Sequence, residues 1–123
     1  MGLLRSSRRL FARQFPAGRG VVAPSELGLD AFPPLGVFLQ FSAPGPGHSR
    51  VSLNRLAAAA ASHGGDVVVV EQLAGRGGRL AGRLGVHVAP TVLYVGPDGC
   101  VVRRWTRPPE RRELDQALDG VGV

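Results

Sequence analysis

Few side chains in this chain could carry covalent chemistry: the neighbours His48 and Ser49, the single cysteine Cys100, and the further histidines His63 and His87. His48 and Ser49 together offer a base and a nucleophile. Adjacent residues of a helix do not face each other, however, and no acid is placed by the sequence to orient the imidazole. Ser49 reads better as a hydroxyl at a helix start that bonds backbone N–H groups, and His48 as an exposed corner residue. The histidines lack metal-ligand spacing, so no metal site is expected. The glycine-rich run Gly75–Gly82 lacks the Lys-Ser/Thr of a phosphate-cradling loop. No cofactor is implied. A lone cysteine excludes an intrachain disulfide. Cys100 therefore reads as a small strand residue, with a reactive surface thiol or an intermolecular disulfide as the other options.

Charge adds one more class of chemistry, anion binding. All 15 basic residues are arginine, and the net charge is +6. Residues 1–23 hold five arginines and no acid; the remainder holds ten against nine acids and is only +1. The basic balance thus belongs to one end and is no nucleic-acid signature. Arg103, Arg104, Arg107, Arg111 and Arg112 fall around Trp105. They read as a solvated strand end and helix start, or as a surface for an anionic partner. Single-stranded nucleic acid would want several stacking aromatics, so it is not an expected partner. No apolar run approaches the roughly 18 residues of a membrane-spanning helix.

The elements that position these residues follow from hydrophobic period and punctuation. Residues 1–23 form a basic leader, and residues 24–123 the domain. In the leader Leu3, Leu4, Leu10, Phe11 and Phe15 fall on one side of a helical wheel and most arginines on the other. A frayed tail, a peripheral membrane contact through residues 1–15 and a transit peptide all fit. The expected compartment is the cytoplasm, with membrane association or organelle targeting through the leader as alternatives. Ser25-Glu26 suits one short helical turn. Val37 to Phe41 is an apolar run suited to a central strand, with Gln40 as a satisfied buried amide. Pro46 suits a first helical position, and Leu53, Leu56, Ala57 and Ala60 recur as one buried stripe. Gly64-Gly65 ends that helix. Val67 to Val70 reads as a second buried strand, and Arg79 to Leu84 as a short helix. Thr91 to Val95 is a third strand, Gly96-Pro97-Asp98-Gly99 a hairpin turn, and Cys100 to Trp105 the returning strand. Pro108-Pro109 precedes a last helix with Leu114, Ala117 and Leu118 inward.

This β-α-β-α-β-β-α order makes an α/β three-layer sandwich, with a mixed sheet of about four strands and helices on both faces. Three local patterns then resemble the thioredoxin family over residues of about 35 to 120. Phe41-Ser42-Ala43 resembles the Phe-x-Ala that ends its central strand. Gly85-Val86-His87-Val88-Ala89-Pro90-Thr91 resembles its Gly-Val-x-x-x-Pro-Thr, in which the proline is cis. Asp98-Gly99 resembles its hairpin turn. The resemblance implies a thioredoxin-like fold whose active-site corner follows Phe41-Ser42-Ala43.

That corner departs from the family. Where the family has Cys-x-x-Cys, this chain has Pro46-Gly47-His48-Ser49, with Gly45 in place of the preceding tryptophan and Gln40 in place of the buried acid. Dithiol exchange needs a thiolate that attacks a disulfide sulfur, which neither proline nor serine supplies. Cys100 should lie about 15 Å from the corner, five strand residues away at about 3.3 Å each. The expected function is a redox-inactive module that binds an extended peptide or protein segment. By the resemblance, the groove would lie between Gly45–Ser49, Val88–Pro90 and Arg107–Pro108, with main-chain bonds from Ala89 before the proline. The alternative is a protein related to thiol-disulfide oxidoreductases that acts through Cys100 or with a redox partner.

Overall fold

The computed structural model describes residues 20–74 and 78–122. A 3-10 turn at Pro24–Leu27 leads into β1 (Val37–Ser42), α1 (His48–Ala61), β2 (Val68–Leu73), α2 (Gly78–Arg83), β3 (Thr91–Val95), β4 (Val101–Trp105) and α3 (Arg111–Gly122). The strands form one sheet in the order β2-β1-β3-β4. β1 runs parallel to β2 and antiparallel to β3, and β3 and β4 are antiparallel. This is the expected α/β sandwich with a mixed four-stranded sheet.

β1 is central because its residues can be buried on both sides. Val37, Phe38, Leu39, Gln40 and Phe41 are fully buried. Val37, Leu39 and Phe41 join Leu80 and Leu84 of the α2 region and Leu27 of the 3-10 turn in one core. Phe38 points the other way, to Leu56 and Ala59 of α1 and Leu114, Ala117 and Leu118 of α3. Helices therefore cover both faces. Phe38 and Tyr94 pack their rings 5.4 Å apart in the middle of the α1/α3 layer.

Five expectations change. The domain starts before residue 24. Val22 is buried in the core, its N–H donates to Gly99 O at 2.8 Å, and Val101 N–H donates to Gly20 O at 2.7 Å. A two-valine run between glycine and proline is too short to signal a strand. The rest of the expected leader, residues 1–19, lies outside the described residues. β2 is an edge strand and half-buried, not a buried one, since only β1 pairs with it. α1 begins at His48, with Pro46 left in the preceding bend. Its buried stripe is Ser49, Ser52, Leu56 and Ala59, not Leu53, Leu56, Ala57 and Ala60. A run of alanines favours helix without marking a face, so the small serines could take the sheet side. Finally, β4 begins at Val101; Cys100 precedes it and forms an isolated bridge with Val21.

Among the described residues, no helix is long and apolar enough to cross a membrane.

Candidate functional site

Strand register brings the expected site segments to one end of the sheet. Phe41 pairs with Thr91, and Val92 with Trp105. The end of β1, the Pro90 loop and the segment after Trp105 therefore stand in a row. The corner Ala43–His48 is exposed, and so are His87, Val88 and Ala89 across from it. Val88 keeps 53% of its surface in solvent. Behind it Pro90 is buried, and the Ala89–Pro90 peptide bond is cis. Thr91 Oγ1 donates to Val88 O at 2.6 Å and holds this loop to the start of β3. Gly45 and Gly47 have φ of 85° and 130°, which lets the chain turn sharply between β1 and α1.

The polar groups under the corner serve structure. Ser49 Oγ accepts the Ala43 N–H at 2.9 Å, which ties the first turn of α1 to the strand end. The expected Ser49 bond to a backbone N–H is present, although it reaches back to the corner and not into the helix. Gln40 Nε2 donates to Ser49 O at 2.8 Å and to Ser42 Oγ at 2.9 Å. Its Oε1 has no partner among the described residues, so the amide is only partly satisfied. Ser52 Oγ, one turn further and also buried, is likewise unpartnered. Neither Ser49 nor His48 meets an acid or base here. Ser49 is nearly buried and its hydroxyl is engaged, whereas His48 points into solvent. Among the described residues, no group of three or more His, Cys, Asp or Glu is placed to hold a metal ion. Part of the glycine run, residues 75–77, lies outside the described residues.

Arg107 stands at the row's far end, but its guanidinium is committed. Nη1 and Nη2 donate to Glu113 Oε1 and Oε2, both at 2.9 Å. Glu113 also accepts the Glu110 N–H at 3.0 Å, closing the start of α3, and the Trp105 indole N–H at 3.2 Å. These bonds favour the carboxylate, Arg107 foremost and the Glu110 N–H next, and bring its pKa down to about 2. Arg107 is therefore a fixed rim residue. The other arginines near Trp105 disperse in the same way. Arg103 stacks over the Trp105 ring at 5.2 Å, Arg104 donates to Leu84 O and Gly85 O, and Arg111 pairs with Asp115 at 3.1 Å. Glu113 is the residue that sequence reasoning missed. Its signal was an acid three positions after Glu110 at a helix start that follows Pro108-Pro109.

Cys100 lies at the other end of the sheet. Val101 pairs with Val95, the end of β3 remote from Thr91, and Cys100 bridges Val21 beyond it. On its β2 side the corner also lines an open cavity of about 350 Å³, formed by Pro44, Gly45, Leu53 and Leu73 with Arg50 and Glu71 in its walls.

No protein-family model matches the chain, and no curated protein sequence does. Solved structures do. Thioredoxin 2 from Pseudomonas aeruginosa in its reduced form is 26% identical, with a TM-score of 0.58 over 84% of this chain and 91% of that one. Thioredoxin-2 of the malaria parasite, described as a component of its protein secretion machinery, is 13% identical, with a TM-score of 0.61 over 68% and 81%. Chloroplastic thioredoxin z is 17% identical, with a TM-score of 0.61 over 70% and 77%. The fold is thioredoxin-like.

Proposed function

We propose that this chain is a thioredoxin-like module that holds an extended peptide at the Pro90 end of its sheet and performs no dithiol exchange. The observation that carries the reading is the pairing of two exposed main-chain segments at one end of the sheet with the absence of a thiol there. Ala43–His48 and His87–Ala89 face solvent on either side of buried Pro90. The chain's one cysteine belongs to the opposite end of the sheet. Exchange would need a thiolate beside the start of α1, and Pro46 and Ser49 stand there instead. A peptide strand needs only main-chain groups and apolar contact. Ala89 supplies the first and Val88 the second. The Arg107–Glu113 pair gives the cleft a rigid polar rim with little free charge.

Two measurements test this. Peptides selected from a random display library against the full chain should bind in solution, and Val88→Asp should weaken them at least about tenfold, the cost of losing one good apolar contact. No peptide selected above background would overturn the binding role. The protein should also fail to accelerate reduction of a protein disulfide by dithiothreitol. Turnover that disappears with Cys100→Ser would instead support thiol chemistry through that cysteine.

A further inference from the structure

The two edges of the sheet are finished differently. β4 is crossed at its start by Val21 and Val22, and its middle carries exposed Arg103 and Arg104 on opposite faces. A covering segment and charged side chains are ordinary means of stopping an edge from recruiting another strand. β2 has neither. It reads Val-Val-Val-Glu-Gln-Leu, with no proline and none of the chain's 15 arginines. Its register with β1 is unbroken by a bulge. Val68, Val69 and Val70 are half-buried, and Leu73 is 43% exposed.

The direction of its main-chain groups is known. Val68 N–H donates to Gly36 O at 3.3 Å and Ala74 N–H to Ser42 O at 2.7 Å, so the even-numbered residues bond to β1. Val69, Glu71 and Leu73 turn their N–H and C=O groups outward. Among the described residues, no strand meets them.

We propose that this edge pairs with β2 of a second copy, in a two-fold dimer with one continuous sheet. Antiparallel pairing must match outward residues with outward residues, which leaves few registers. Centring on Glu71 would oppose two carboxylates, a destabilising arrangement. Centring on Val70 pairs Val68 through Gln72 with the same stretch of the other copy and sets each Glu71 against Val69. Val70 then packs on Val70 of the other copy on one face, and on the other face each Val69 lies against the stem of Glu71. The contact uses the same surface twice, and the guarded β4 edge stops further growth, so the assembly closes at two copies. The dimer does not depend on the peptide-binding reading.

Sedimentation velocity of the full chain, from low micromolar concentration upward, should show a monomer passing into a dimer. Val69→Pro removes an outward N–H without touching the β1 ladder. It should stay monomeric with an unchanged circular dichroism spectrum. In the Cys100→Ser background, Val70→Cys should give a covalent dimer on mild oxidation. The two Val70 positions form a non-hydrogen-bonded pair with Cα atoms about 4.5 Å apart, inside the disulfide range. Val68→Cys in the same background should not, because it faces Gln72 of the other copy. A monomer at all concentrations, a dimer that survives Val69→Pro, or equal cross-linking at positions 68 and 70 would overturn the proposal.

Discussion

Gln40 shows how one residue carries the departure of this site. It is fully buried in the central strand and binds β1 to the first turn of α1 through Ser49 O at 2.8 Å. Its place was visible as the one polar member of an apolar run. Its partners were not, because they come from the helix after the corner. Gln40→Leu would remove both bonds that tie β1 to Ser49 O and Ser42 Oγ and should destabilise the fold by about 1–3 kcal/mol. The urea midpoint should fall with an unchanged slope. Glu113 gives a pH-dependent counterpart. Its pKa is lowered from 4.5 to about 2 by Arg107, the Glu110 N–H and the Trp105 indole. A lowered folded-state pKa means stability that is fully present above the unfolded value and lost as pH falls through the folded one. The melting temperature of Glu113→Gln should therefore lie below that of the parent at pH 7, and the gap should close between pH 4.5 and about 2. A gap independent of pH would assign the effect to packing. The Arg107–Glu113 pair was hidden from the sequence, where Arg107 read as a free groove residue. Only the turn into α3 brings Glu113 beneath it.

At the scale of elements, legibility follows burial. β1 and β3 are buried throughout because both their faces are covered, and their largely apolar runs were plain in the sequence. α3 was equally plain, since Leu114, Ala117 and Leu118 form one stripe and all three are buried. β2 was recognised as a strand but not as an edge. A run of valines looks the same whether one neighbour or two pair with it, and strand order depends on contacts remote in sequence. The α1 stripe was misplaced by the same kind of degeneracy, as alanine fits either face of a helix. Glycine at one joint is less forgiving. Gly36 enters β1 with φ of 92°, and a Cβ there would lie 2.1 Å from Val95 O. Backbone cannot move aside as a flexible side chain can. Gly36→Ala should therefore cost about 4 kcal/mol or more, the range of exceptional single substitutions. Thermal melting of the soluble fraction would measure it. A loss under about 1 kcal/mol, ordinary for a point mutation, would mean that β1 and β3 can separate at this end.

For the whole molecule, the question is where the folded unit stops and what its charge does. Val21 and Val22 belong to the domain, and Arg83 fastens them by donating to Val21 O at 2.6 Å while it pairs with Glu26. A cut placed after residue 23 would remove a core valine and uncover the Gly99 turn, where a Cβ would meet Val22 O at 2.4 Å. A cut before Gly20 would remove none of the described contacts. The form starting at Gly20 should thus melt within about 2 °C of the full chain, equivalent to less than 1 kcal/mol for a domain of this size. The form starting at Pro24 should melt well below both. The cut before Gly20 also divides the charge, since residues 1–19 carry five arginines and the rest is nearly balanced. Arginines near an anionic surface contribute about 1 kcal/mol each. The full chain should therefore sediment with anionic vesicles at low salt, and the form starting at Gly20 should stay in the supernatant. The attraction is electrostatic, so 1 M salt should release the full chain as the screening length drops from about 10 Å at 0.1 M to about 3 Å. Sedimentation of the shorter form would place the contact on the domain itself. Retention of the full chain at 1 M salt would assign the binding to Leu3, Leu4, Leu10, Phe11 and Phe15 and not to the arginines between them.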